Sequence, residues 1–141
     1  MMRVFLDSSV LFSACYSSTG HSRDLIALAL RGEIQLVSSR FVLEETRRNL
    51  QRKSAQSLLF LDFILDNIEI EIVKPTKKQV LAAARGVELK DAPIVAAAKR
   101  GKVDILVSLD REHLLDNPKV AKLADAEVLT PREAVQALKS N

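Results

Sequence analysis

The chain has 141 residues, 48% apolar and 28% charged, with a formal net charge of +3. That length and balance fit one globular domain spanning 1–141, with a core that needs no covalent staples. Cys15 is the only cysteine and no apolar run reaches the roughly 18 residues of a membrane span, which excludes a disulfide framework, a Cys-based zinc site and a transmembrane helix, and points to a cytoplasmic setting.

The N-terminal stretch MMRVFLDSSVLF is apolar, but Asp7 interrupts it and no small-residue cleavage site follows. It reads as a buried strand and not as a signal peptide. Residues 3–6 form a short, continuously apolar strand, the pattern of a parallel strand covered on both faces. Leu25, Ile26, Ala29 and Leu30 recur at helical spacing and predict a helix over 22–31, with Gly32 as its stop. A strand over 34–37 follows, and Ser39 can cap a helix from 40 to 52. The next helix, 54–66, carries Leu58, Leu61, Ile64 and Leu65 as a core stripe or a dimer face. Ile68, Ile70 and Ile72 alternate with acids, which predicts a half-exposed strand over 68–73 at a sheet edge.

Residues 77–85 read as helix. Asp91 can cap another, with Pro93 tolerated in its first turn and Gly101 ending it. Residues 103–107 form a strongly apolar strand, a short helix follows Asp110, a last strand covers 127–129, and a closing helix covers 131–138. No repeat, low-complexity segment or linker divides the chain. Alternation of strand and helix predicts a three-layer α/β domain with a mostly parallel sheet of four to five strands. In such sheets ligands bind beyond the carboxyl ends of the strands.

Acidic residues collect at that edge. Asp7 ends the first strand, where an acid has little structural purpose. Asp110 lies just past the strand 103–107, preceded by Ser108, and Asp91 opens a helix. Glu44 and Glu45 follow the second strand. On a regular helix Glu45 lies roughly 110° from the middle of the apolar face and Glu44 about 150°, so Glu45 is the inward candidate. Carboxylates brought together repel one another, and a divalent cation removes the conflict. Oxygen donors favour Mg²⁺ or Mn²⁺ over zinc, and His21 and His113 are too few and too scattered for a zinc site. Such an ion suits phosphodiester hydrolysis. Singly, Asp91 and Asp110 also have a plainer role as helix N-caps, and Glu45 as a solvated helix residue.

At these residues the chain resembles the PIN-domain family. VFLDSSVL is similar to the family's first acidic motif, SRFVLEETRRNL to the second, and KDAPIVAAAKRGKVDILVSLD to the third and fourth together. The likeness runs from Val4 to about Leu138. It implies an α/β/α sandwich and a metal-dependent endonuclease, usually a ribonuclease. Asp7, Glu45, Asp91 and Asp110 would be metal ligands or positioners of metal-bound water, with the Ser108 hydroxyl supporting them. The tail LDREHLLDN…VLTPREAVQAL resembles a prokaryotic, VapC-like subgroup described as toxins of toxin–antitoxin pairs, which implies an RNA substrate and an antitoxin partner. Where many of those toxins carry a second acid and then an aromatic, this chain has Glu112, expected to face solvent, and then His113–Leu114.

The net charge is too mild to imply a nucleic-acid partner by itself, and Trp is absent, so no base-stacking platform is evident. Lys90 and Arg111 adjoin acids of the site, while Arg47, Arg48, Arg52 and Lys53 read first as a solvated helix face. Two other functions compete with the nuclease. One is a catalytically weak PIN-like module acting through protein contacts. The other is a haloacid-dehalogenase-type phosphatase, which would want an acid two residues after Asp7, where Ser9 stands. A receiver domain fits less well, since it needs a phosphate-accepting Asp on a central strand with a Lys ending a later one.

Overall fold

Five strands, β1 (Met2–Leu6), β2 (Ile34–Ser39), β3 (Glu71–Val73), β4 (Ile105–Val107) and β5 (Glu127–Leu129), pair in the order β3-β2-β1-β4-β5, every neighbour parallel. The computed structural model describes residues 1–140. Among the described residues eight α-helices flank the strands: α1 (Ser8–Tyr16), α2 (His21–Leu30), α3 (Arg40–Lys53), α4 (Leu58–Asn67), α5 (Lys77–Ala83), α6 (Ala92–Arg100), α7 (Pro118–Ala124) and α8 (Pro131–Lys139). Helices α1 to α4 and α8 pack with one another, and α5, α6 and α7 form a second group. The result is a three-layer α/β/α sandwich. No described helix is long and apolar enough to cross a membrane.

The strands form because their runs are apolar on both sides. Val4, Phe5 and Leu6 of β1 and Ile105, Leu106 and Val107 of β4 are all buried, as strands covered by helices on both faces must be. The edge strand β3 is shorter than the alternation over 68–73 suggests, because only Glu71–Val73 find partners on β2. Two helices are absent from the pattern-based expectation. In α1 the serines blur the apolar period, and the helix follows β1 with only Asp7 between them. In α7 only seven residues are available, and its start is marked locally by the Asn117 cap and Pro118.

Helix α6 lies close on the sheet because its inner face is made of small residues: Ala92, Ala96, Ala97 and Ala98 are buried with Ile94 and Val95. Gly101 ends α6, though not by adopting a left-handed conformation. Its φ is −76°, and the left-handed residue is the next one, Lys102, at φ 51°. A Cβ on Gly101 would lie 2.9 Å from Val37 Cγ1, and that valine is buried and β-branched, so it cannot swing aside. Gly101 also accepts hydrogen bonds from Arg3 through its carbonyl, and Arg3 reaches across to pair with Glu71 of β3. These contacts tie β1, β3 and the end of α6 together.

Gly101→Ala is expected to lower stability by about 1–3 kcal/mol, as overpacking of a filled core does. Urea denaturation measures it; an unchanged midpoint would show that α6 can lift from the sheet at little expense.

Candidate metal centre

Strand order reverses between β1 and β4, so the connections leaving their carboxyl ends diverge and open a crevice. The register pairs Leu6 with Val107, which makes Asp7 and Ser108 the next residues on adjacent strands. The Asp7 N–H donates to the Val107 carbonyl at 3.1 Å, continuing the ladder by one bond. The Ser108 hydroxyl then donates to Asp7 Oδ2 at 2.5 Å and accepts the Asp110 N–H at 2.9 Å. One fully buried hydroxyl therefore links two of the predicted acids.

Asp7 has a structural role as well, contrary to the expectation from sequence. It caps α1, its Oδ1 accepting the Val10 N–H at 3.2 Å. The same oxygen accepts the Ser9 hydroxyl at 2.5 Å, and Ser9 Oγ in turn accepts the Leu109 N–H at 3.2 Å. Asp7 is thus buried and held from three directions. Burial pushes its carboxyl above the ordinary range, opposed by the hydrogen bonds from Ser108, Ser9 and Val10.

Asp91 and Asp110 divide the other way. Asp110 does cap the turn Arg111–Leu115, accepting the His113 N–H at 3.1 Å. Asp91 occupies the cap position of α6 but makes no capping bond. It is only 6% exposed, and its buried Oδ2 has no hydrogen-bond partner. Burial pushes its carboxyl up, first of all. Lys90 and His113 act against that shift, and the charges of Asp110 and Glu88 add to it.

One ligand atom each from Asp91, Asp110 and His113 lie within 4.8 Å of one another, the spacing that a single cation can bridge. Among the described residues Asp7 and Glu45 stand outside this group of three. Glu45 is half-buried on α3 and accepts a hydrogen bond from the Ser8 hydroxyl of α1, whereas Glu44 is exposed. Glu112 is exposed.

Sequence reasoning passed over His113, Glu88 and Ser9. His113 follows Asp110 by three residues, the spacing that places two side chains on one face of a helical turn. That D-x-x-H signal was available. Glu88 gave none, because its partner His113 lies across the fold, and the bond of Ser9 with Leu109 is equally distant in sequence.

The donor set suits a divalent cation: two carboxylates and an imidazole converge, and one buried carboxylate oxygen lacks any other partner.

Without a cation, Asp7 and Asp91 hold a proton to higher pH when folded than when unfolded. Their contribution therefore favours the fold at low pH and declines as pH rises from the ordinary carboxylate range through their raised values. Asp91→Asn should raise the melting temperature of chelator-treated protein at neutral pH and flatten its decline as pH rises from the ordinary carboxylate range through Asp91's raised value. Melts across pH measure this, and a variant less stable than wild type would show that Asp91 is compensated. Ser108→Ala leaves a buried carboxylate oxygen and the Asp110 N–H unmet, and should cost about 1–3 kcal/mol in chemical denaturation.

A PIN-domain family model matches residues 3–112. Among solved structures, the crystal structure of PAE2754 from Pyrobaculum aerophilum is 18% identical with a TM-score of 0.70, and the match covers 99% of this chain and 91% of that one. VapBC2 from Rickettsia felis, bound to a DNA fragment from its promoter, is 14% identical with a TM-score of 0.63, over 92% of this chain and 98% of that one. At such identities these two establish the likeness of fold. No curated protein matches the chain. With both the motifs and most of the length inside the family model, the chain belongs to the PIN-domain family.

Proposed function

We propose that this chain is a divalent-metal-dependent endoribonuclease, one nuclease domain over 1–141, serving in the cytoplasm as the toxin of a toxin–antitoxin pair. The observation that carries the reading is the buried Asp91 oxygen left without a partner beside Asp110. A lone buried carboxylate oxygen is costly, and a bound cation offsets that cost. Asp7, Glu45, Asp91 and Asp110 are assigned as metal ligands or positioners of metal-bound water. Ser108 holds Asp7 and Asp110 in register. Mg²⁺ or Mn²⁺ fits four carboxylates. Such an ion supplies a more acidic bound water and charge stabilisation at a phosphodiester.

The chain's own groups position the substrate. The lining of a groove of about 390 Å³ includes Ser8, Ser9, Phe12, Glu45, Arg52 and Lys53. Arg52 and Lys53 can contact phosphates there without reading sequence, and Lys90 can do so beside Asp91. Ser9 and Ser108 hold Asp7 fixed, so little reorganisation is needed when the strand arrives.

The fold shared with the Rickettsia felis VapBC2 structure supports an antitoxin as protein partner. A second copy of the chain is the other partner proposed, with Leu59, Phe63 and Leu65 of α4 supplying exposed apolar surface.

Purified protein given Mn²⁺ or Mg²⁺ should cut RNA. Asp110→Asn and Asp91→Asn should each reduce the rate about a hundredfold or more while leaving the circular dichroism spectrum unchanged. Intact RNA across varied substrates, with both variants equal to wild type, would end the nuclease reading. Cleavage of DNA alone would keep the nuclease and remove the ribonuclease.

A further inference from the structure

We infer that His113 is a nitrogen ligand of the same cation, held in place by Glu88, and that the site therefore selects a first-row transition cation over Mg²⁺. The inference rests on the metal-site reading above and extends it to a residue that the acidic motifs do not include.

The local chain places the ring. Asp110 accepts the His113 N–H, which closes the turn and brings the imidazole back over the Asp110 carboxylate. His113 Nδ1 then lies 3.3 Å from both Asp110 oxygens. The other nitrogen, Nε2, lies 3.3 Å from Glu88 Oε1. Glu88 comes from the turn that leads into Asp91, whose N–H donates to the Glu88 carbonyl at 2.9 Å. The ring is thus clamped between the two segments that supply Asp91 and Asp110.

This is the arrangement in which an imidazole binds a metal. A ligating histidine gives its outer N–H to a carboxylate, which fixes the tautomer and turns the lone pair of the inner nitrogen toward the ion. Here Nε2 stands 3.3 Å from Glu88 Oε1 and Nδ1 3.3 Å from both Asp110 oxygens, so the tautomer that carries its proton on Nε2, toward Glu88, turns the Nδ1 lone pair toward Asp110. In that tautomer the lone pair opposes the Asp110 carboxylate, and a cation held by His113, Asp110 and Asp91 replaces the repulsion with metal–ligand bonds. The unpartnered Asp91 oxygen is a separate sign that a ligand belongs there. An oxygen–oxygen–nitrogen set disfavours Mg²⁺, which prefers oxygen donors and sheds water reluctantly, relative to transition ions that accept imidazole.

Mn²⁺ is the probe, because its electron spin reports bound nitrogen. Pulsed electron paramagnetic resonance of the Mn²⁺-loaded full chain should show ¹⁴N coupling that His113→Gln abolishes. By calorimetry Mn²⁺ should bind at least about tenfold more tightly than Mg²⁺. His113→Gln should remove that preference and change Mg²⁺ affinity little. Glu88→Gln should keep the ¹⁴N coupling and weaken Mn²⁺ binding about tenfold, as loss of an outer-shell partner does. Mn²⁺ bound without nitrogen coupling, at an affinity His113→Gln leaves unchanged, would show that His113 only ion-pairs with Asp110 and Glu88. That result overturns this inference and leaves the metal site standing. Absence of Mn²⁺ binding to wild type would overturn both.

Discussion

Burial of carboxylates at the junction of β1 and β4 is the constraint around which the rest of the structure is arranged. An ionised acid removed from water destabilises the fold unless hydrogen bonds, a proton or a cation meet it. Asp7 is met by two serine hydroxyls and a backbone N–H. Asp91 is met only in part, and its second oxygen has no protein partner. The two acids answer one electrostatic problem differently. Asp7 is secured by the protein itself, and Asp91, which has a carboxylate oxygen within reach of Asp110 and His113, keeps one oxygen unmet.

The scaffold makes this arrangement affordable. β1 and β4 are filled with Val, Phe, Leu and Ile, and the alanine face of α6 allows that helix to lie close against the sheet. Asp7 sits one residue beyond β1, Asp110 three residues beyond β4, and Asp91 at the start of α6; a ladder bond to Val107 fixes Asp7, and the Ser108 hydroxyl fixes Asp110. Parallel pairing of Leu6 with Val107 determines which residues meet across the crevice. A slip of one residue would turn every buried side chain of β1 to the other face and carry Asp7 away from Ser108.

Helix capping and site chemistry draw on the same side chains. Asp7 and Asp110 each accept a backbone N–H of the following turn, and each also takes part in the acidic group or its support. Capping and site roles are therefore not alternatives for these two. A carboxylate has two oxygens and several lone pairs, enough to satisfy a helix terminus and still offer a lone pair elsewhere. Asp91 is the exception, standing at a cap position without capping.

Sequence alone determined the layers, the parallel sheet and the edge position of β3, because those follow from apolar period and from strand–helix alternation, which are local properties. It also marked Asp7, Ser108 and Asp110 as residues at strand ends, and helical phase separated Glu45 from Glu44. It did not show α1 or α7, where serines and shortness hide the period. Only the tertiary structure decided which groups touch: that Ser108 bridges Asp7 and Asp110, that Glu45 meets Ser8, and that Glu88 and Asp110 hold His113 between them. Those pairings join residues brought together by strand register and helix packing, and no local pattern records a neighbour that arrives from another part of the chain.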